Sequence, residues 1–156
     1  MSTKVHQLVD GRGLPLVIAI TAGQAGDSPM MLPLLAELRV EQPTGRPRTR
    51  PDAVRGDKAY SSRAIRTHLR DRNITAVIPE PADQQGHRKQ RGSRGGQPVS
   101  YDTTDYNNRN IIERRFCHLK QWRGLATRYN KLATTYRSAV ALNAIIAWTR
   151  YLSDTP

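Results

Sequence analysis

Two extended runs open the chain, Thr3 to Val9 and Leu14 to Ile20, separated by Asp10-Gly11-Arg12-Gly13. Two glycines in four residues suit a hairpin turn, because glycine tolerates positive φ. The second run, LPLVIAI, is nearly apolar throughout, which predicts a strand covered on both faces. Met31, Leu34, Leu35 and Leu38 then recur at helical spacing and predict a helix from Pro29 to about Val40, with Asp27 or Ser28 as its cap. Residues 41–52 hold three prolines and a glycine and read as a basic loop. A short extended piece, Ala53 to Gly56, ends at Asp57. Ser61 or Ser62 caps a following helix to about Arg72, and ITAVI (residues 74–78) is a strand stopped by Pro79 and Pro81.

The pattern is lost after that. Residues 82–105 are rich in Gly, Gln and Arg, with no acid between 84 and 100, and they predict a basic, flexible insertion without regular structure. Helical periodicity returns from Thr104 to about Trp122, and again from Tyr136 to Leu152. The last stretch, AVALNAIIAW, is apolar almost all round and predicts a helix packed inside something. The order β-β-α-β-α-β-loop-α-α is an α/β pattern.

A length of 156 residues suits one domain or part of one. No run approaches the ~18 apolar residues of a membrane span, and MSTKVHQLVDG lacks the apolar core of a signal peptide. The single cysteine, Cys117, forms no internal disulfide and reads as a small packing residue. These features predict a soluble, cytoplasmic protein. With 25 Lys or Arg against 13 Asp or Glu, the formal charge is +12, which points to polyanions and first to nucleic acid.

Two carboxylates stand out by position. Asp57 lies just past a strand, where open α/β sheets place functional groups. Glu113 is the only acid among residues 106–131, amid seven Lys or Arg. Such acids can ligate Mg²⁺, which takes one or two carboxylates and completes its shell with water and phosphate. Asp57 can equally be a helix cap, and Glu113 a salt-bridge partner. Stepping about 100° per residue from Tyr106 along one continuous helix puts Arg109 near 300°, Lys120 near 320° and Glu113 near 340°. Ile112, Phe116 and Leu119 lie beside that stripe and would dock the helix on the sheet. The polar stripe therefore runs along the edge of the buried face.

Tyr106, Arg109, Glu113 and Lys120, with two, three and six residues between them, resemble the Tyr-Arg-Glu-Lys signature of bacterial insertion-sequence transposases of the DDE class, of the IS-four/IS-five type. The segment GDKAYSSRAIR with the ITAVIP strand is similar to the family's second-acid region. TKVHQLVDGRGLPLVIAITAGQAGDSP is similar to its hairpin, and IPEPADQ, RGSRGG and HLKQWRGLATRYNK follow in order. The resemblance covers nearly the whole chain.

That resemblance implies an RNase H-like (retroviral-integrase-like) catalytic core with a mixed sheet. It also implies three acids holding two Mg²⁺ or Mn²⁺ ions for cleavage and strand transfer of double-stranded DNA, at transposon ends and target. Asp57 matches the second acid and Glu113 the third. Tyr106, Arg109 and Lys120 match positions associated with the transposon end, although Arg109 and Lys120 can also orient Glu113 as charge partners. The family's first acid and its strand, central in that sheet, have no match here. Asp10 and Asp27 read as turn and cap residues.

The expectation is a C-terminal part of a transposase, truncated or the second of two reading frames, active only with an N-terminal segment or in self-association. The rival is a non-catalytic basic DNA-binding remnant that inhibits by pairing with full-length transposase. Arg123 and Arg128 can follow a DNA backbone or lie in a solvated turn. Trp122 can stack on a base or pack beside Ile111.

Overall fold

The computed structural model describes residues 3–127 and 132–154. They form two compact units. One draws on Met1–Gly26, Pro33–Thr49 and Asn110–Pro156, the other on Asp27–Leu32 and Arg50–Arg109. Each has its own two-stranded sheet, one antiparallel and one parallel.

In the first unit, β1 (Thr3–Val9) pairs antiparallel with β2 (Pro15–Ala22), Val5 opposite Ile20 and Gln7 opposite Ile18. The turn closes as its residues require. The Asp10 side chain accepts from the Arg12 and Leu14 amides, and Gly13 sits at φ +90°. Every β2 residue from Pro15 to Thr21 is buried or half-buried, as its apolar run predicts. Leu34, Leu35 and Leu38 are buried, although α1 spans only Met31–Glu37, after a 3₁₀ turn at Ser28–Met30. Asp27 precedes that turn in helical backbone and makes no side-chain cap, against expectation.

Helices α5 (Asn110–Lys120), α6 (Arg123–Ala126) and α7 (Ala133–Ser153) complete this unit. Leu119, Leu125, Tyr136 and Val140 form its core, with Val5, Ile18, Ile20, Phe116 and Trp122 packed around them. The predicted docking of α5 through Phe116 and Leu119 is what the core shows. Tyr136 keeps its hydroxyl satisfied by donating to the Leu125 carbonyl at 3.2 Å. Helix α7 is not enclosed as its composition suggests: Tyr136, Val140, Asn143 and Ala144 are buried on one stripe, while Leu142, Ile145 and Leu152 are exposed on another.

In the second unit, β3 (Ala53–Arg55) pairs parallel with β4 (Thr75–Val77) across α2 (Arg63–Asp71), a βαβ crossover. Ser62, not Ser61, caps α2, its hydroxyl accepting from the Ile65 amide. Asn73, at φ +53°, ends it in the left-handed turn that asparagine tolerates. Ile65, Leu69, Ile74, Val77 and Ile78 are buried between helix and strands.

The segment expected to lack regular structure carries a helix, α3 (Ala82–Gln90), and a 3₁₀ stretch, Gly92–Gly95. Its Ala, Gln, Arg and Lys favour helix, and Arg88 pairs with Glu80 at 3.0 Å in a mostly buried site. Ser61 is committed there too, bonded to Gln84 and Arg66.

Candidate functional site

Asp57 follows β3 after one residue, Gly56, at the carboxyl end of a parallel strand. Its side chain accepts from the Ala59 amide at 2.8 Å and so caps the single turn Lys58–Tyr60. The capping alternative is thus realised, while the carboxylate remains exposed. Behind it Gly56 is buried. A Cβ there would stand 3.3 Å from the Tyr60 ring, so glycine permits that close approach. Burial, with the negative charges of Asp27 and Asp57 adding to it, pushes the Tyr60 phenol up to about 12. Tyr60 is therefore a permanent hydrogen-bond donor beside Asp57 at neutral pH.

The continuous helix expected from Thr104 to Trp122 is broken. Helix α4 spans Thr103–Asn107, capped by the Asp102 side chain on the Thr104 and Asp105 amides. It ends where the Asn108 amide bonds back to the Asp105 carbonyl and the Arg109 amide to the Tyr106 carbonyl, both i to i−3. Three asparagines, at 107, 108 and 110, explain the break, because short polar side chains compete with the helical ladder. The Asn108 side chain donates to the Asp105 side chain at 3.2 Å. The stripe projected through 106–120 is divided accordingly. Tyr106 and Arg109 share a unit with Asp57; Glu113, Lys120 and Arg123 belong to the other.

Within the second unit the signature residues are pinned. Arg55, two residues before Asp57, donates through Nε and Nη2 to Asp105 Oδ1, at 2.9 and 2.6 Å. That hydrogen bond holds the Asp105 carboxyl below the usual carboxylate range. Arg109 lies over the Tyr106 ring, 4.9 Å from its centroid, and Tyr101 meets the same ring edge-on at 5.6 Å. The Arg55–Asp105 tie thus fixes α4, and with it this stack, to the strand end that carries Asp57. Sequence reasoning missed it because the partners are 50 residues apart.

In the first unit Glu113 is exposed in the first turn of α5, not mid-helix, where the helix dipole favours a carboxylate. Lys120, also exposed, lies seven residues on and so within about 20° of the same face. Arg123 opens α6 and is exposed, and Arg128 lies outside the described residues. Trp122 packs on the core while also lining a surface recess. Cys117 is exposed rather than packed. Arg115, buried at 6% exposure, drew no notice as a site residue.

Among the described residues, no group of three His, Cys, Asp or Glu comes together that could hold a metal ion. Asp57 and Glu113 belong to different units. No helix of the described residues is long and apolar enough to cross a membrane.

The family described as Transposase DDE domain matches residues 1–148. The chain is 28% identical, over 148 residues, to a Burkholderia cepacia protein described as a transposase for insertion sequence element IS402, covering 94% of this chain and 63% of that one. It is 33% identical over 150 residues to a Brucella ovis protein described as a transposase for insertion sequence element IS6501, covering 96% of this chain and all of the other. No solved structure matches it. A strand-end aspartate, a pinned Tyr-Arg stack and a helix bearing Glu and Lys thus sit in a chain that belongs to the DDE-domain family of insertion-sequence transposases.

Proposed function

We propose that this chain is the C-terminal part of a transposase catalytic core that cleaves insertion-sequence ends and joins them to target DNA. Asp57 and Glu113 are two of its three acids. The observation that carries this reading is the tie between Arg55 and Asp105, which fastens Tyr106 and Arg109 to the strand end of Asp57. Arg109 is held over the Tyr106 ring, and a guanidinium binds phosphate oxygens through strong charge-assisted bonds. Tyr60 stays protonated and can donate to an oxygen near Asp57.

Lys120, Arg123 and Arg128 extend the DNA contact, and the helical segment Ala82–Gln90 with the residues after it adds a basic face. A third carboxylate, supplied by fusion or by a partner chain, would complete an RNase H-like sheet and with it the site for Mg²⁺ or Mn²⁺, whose chemistry is to activate the attacking oxygen. No residue matched here fills that role.

The test is cleavage and joining of a labelled transposon end with Mg²⁺ or Mn²⁺, using the chain fused to whatever segment its upstream DNA encodes. The expected result is activity in the fusion that Asp57→Asn or Glu113→Gln abolishes. Activity that survives Asp57→Ala would overturn the mechanism. A second reading, a non-catalytic DNA-binding chain that pairs with full-length transposase, draws on the +12 charge and the exposed Leu142, Ile145 and Leu152 of α7. It expects salt-sensitive DNA binding that Glu113→Gln leaves intact, and no turnover in any fusion.

A further inference from the structure

A recess of about 270 Å³ opens within the first unit, between one face of α5, one face of α7 and the hairpin turn. Arg12, Arg114, Arg115 and Arg150 line it, and none of its lining residues is Asp or Glu. The arrangement follows from helix geometry. Arg114 and Arg115 share a face of α5 with Ile111, three and four residues on, and Arg150 stands two turns from Asn143 on α7. Gly13 lets the turn close in, since a Cβ there would meet the Ile111 side chain at 3.1 Å.

The charges in this recess have neutral partners. Arg12 donates to the Tyr151 hydroxyl and stacks over its ring at 5.0 Å. Arg115, though buried, donates to the Asn143 side-chain oxygen, and its Nε has no hydrogen-bond partner. Burial alone lowers the Arg115 pKa, with no acid raising it. Taking a cation out of water without a counter-charge is costly, and it persists where something else compensates. Arg88, by contrast, is paired with an acid, Glu80, in a mostly buried site.

We propose that the recess is a phosphate-binding site, taking one backbone phosphate of a nucleic acid against buried Arg115, with Arg114 and Arg150 closing from the rim. Its volume is several times the ~30 Å³ share of one water, so a tetrahedral oxyanion fits with water around it. It is separate from the signature residues. The nucleic-acid source rests on the transposase reading; the affinity for phosphate does not.

The test measures binding of a short fluorescent DNA duplex across a salt series for wild type, Arg114→Gln/Arg150→Gln and Arg115→Gln. Arg91→Gln/Arg94→Gln, in the basic segment of the other unit, removes the same charge as the rim pair. In parallel, inorganic phosphate is titrated against tryptophan fluorescence, which Trp122 on the recess wall should report and Trp122→Phe should silence. The rim pair should weaken DNA binding about tenfold at low salt, whatever the sequence. It should also lower the slope of log K against log salt by about 0.9, one phosphate's worth.

An effect no larger than that of the Arg91/Arg94 pair would overturn the proposal while leaving DNA binding in place. Phosphate quenching that the rim pair removes, without any DNA binding, would keep the site as one for free phosphate and refute the nucleic-acid source. Absence of both responses would overturn the site itself. The rim side chains are exposed, so the pair tests the proposal even if Arg115→Gln fails to fold.

Discussion

Arg115 offers a test in which stability and binding should move in opposite directions. Its side chain and that of Asn143 are 6% and 5% exposed, bonded to each other through one Arg115 nitrogen. Arg115→Met keeps the apolar stem and removes the cation, but leaves the Asn143 oxygen without its donor, a cost of about 1–3 kcal/mol. Release from burying an uncompensated charge is of similar size, so the single variant should be near neutral. Arg115→Met/Asn143→Leu removes both polar groups. Apolar replacements of buried ionic groups often stabilise by about 1–4 kcal/mol. The recess leaves part of the guanidinium near water, so about 1–2 kcal/mol is expected here.

At about 2–4 °C per kcal/mol for a chain of this size, the midpoint of thermal unfolding should rise by roughly 2–8 °C. Urea titration followed by tryptophan fluorescence is suitable, because both tryptophans, Trp122 and Trp148, lie in the unit concerned. Inorganic phosphate should then stabilise the wild type, by about 2.7 kcal/mol at a hundred times Kd, and leave the double variant unmoved. Loss of more than about 1 kcal/mol in the double variant would refute the reasoning. Arg115 and Asn143 would then be a clasp that holds α5 to α7, with no need of an anion.

Other outcomes follow from single features. Gly13→Ala should cost about 1–3 kcal/mol, from an unfavourable φ and the approach to Ile111, and Ile111→Ala should recover part of that loss in a double-mutant cycle by urea unfolding. Alkaline titration of phenolate absorbance, wild type minus Tyr60→Phe, should isolate one tyrosine titrating near 12. Because the folded value is raised, stability should be flat below about pH 10 and fall above it, and Tyr60→Phe should flatten that fall. Asp105 titrates low in the fold, so its contribution is present above the usual carboxylate range and lost as pH falls through its depressed value. Thermal melts by circular dichroism from about pH 6 to pH 3 should show that loss in wild type and a smaller one in Asp105→Asn.

The chain's pattern made the hairpin, the strand-helix-strand order around α2 and the core faces of α1 and α5 legible, because burial on one face writes itself into spacing. Thr3–Val9 is a strand with the bounds its pattern suggests, and Met31, Leu34, Leu35 and Leu38 are all buried. What escaped depends on contacts between distant residues or on local competition. At Asn108 and Arg109 the helical ladder gives way to i to i−3 bonds, which a 100° projection ignores. Helix α3 is held by Glu80 and Ser61, outside the segment whose composition suggested disorder. Helix α7 is apolar on more faces than it buries, so composition alone overstated its enclosure.

Asp57 and Glu113 were legible as isolated acids at chosen positions, and the cap role of Asp57 as an alternative, yet the place of Glu113 in a first helical turn was not. Arg115 did leave a signal. On α5 it stands four residues from both Ile111 and Leu119, so the helical repeat puts it on the apolar face. It was hidden among seven cations counted for their charge.

That difference between counting charge and locating it decides how the +12 excess should be understood. A uniform basic surface binds any polyanion, with an affinity set by the number of phosphates neutralised. In this fold the cations differ in how they are used. Arg88 and Arg55 are bound to acids and hold helices in place, whereas Arg109 lies over an aromatic ring. Arg12 and Arg115 are held by Tyr151 and Asn143, which fix position without cancelling charge. Neutral clamps on cations orient a guanidinium while keeping its full attraction for an oxyanion, which acid partners cannot do. The positions so held should therefore matter more to DNA affinity than an equal number of loop arginines.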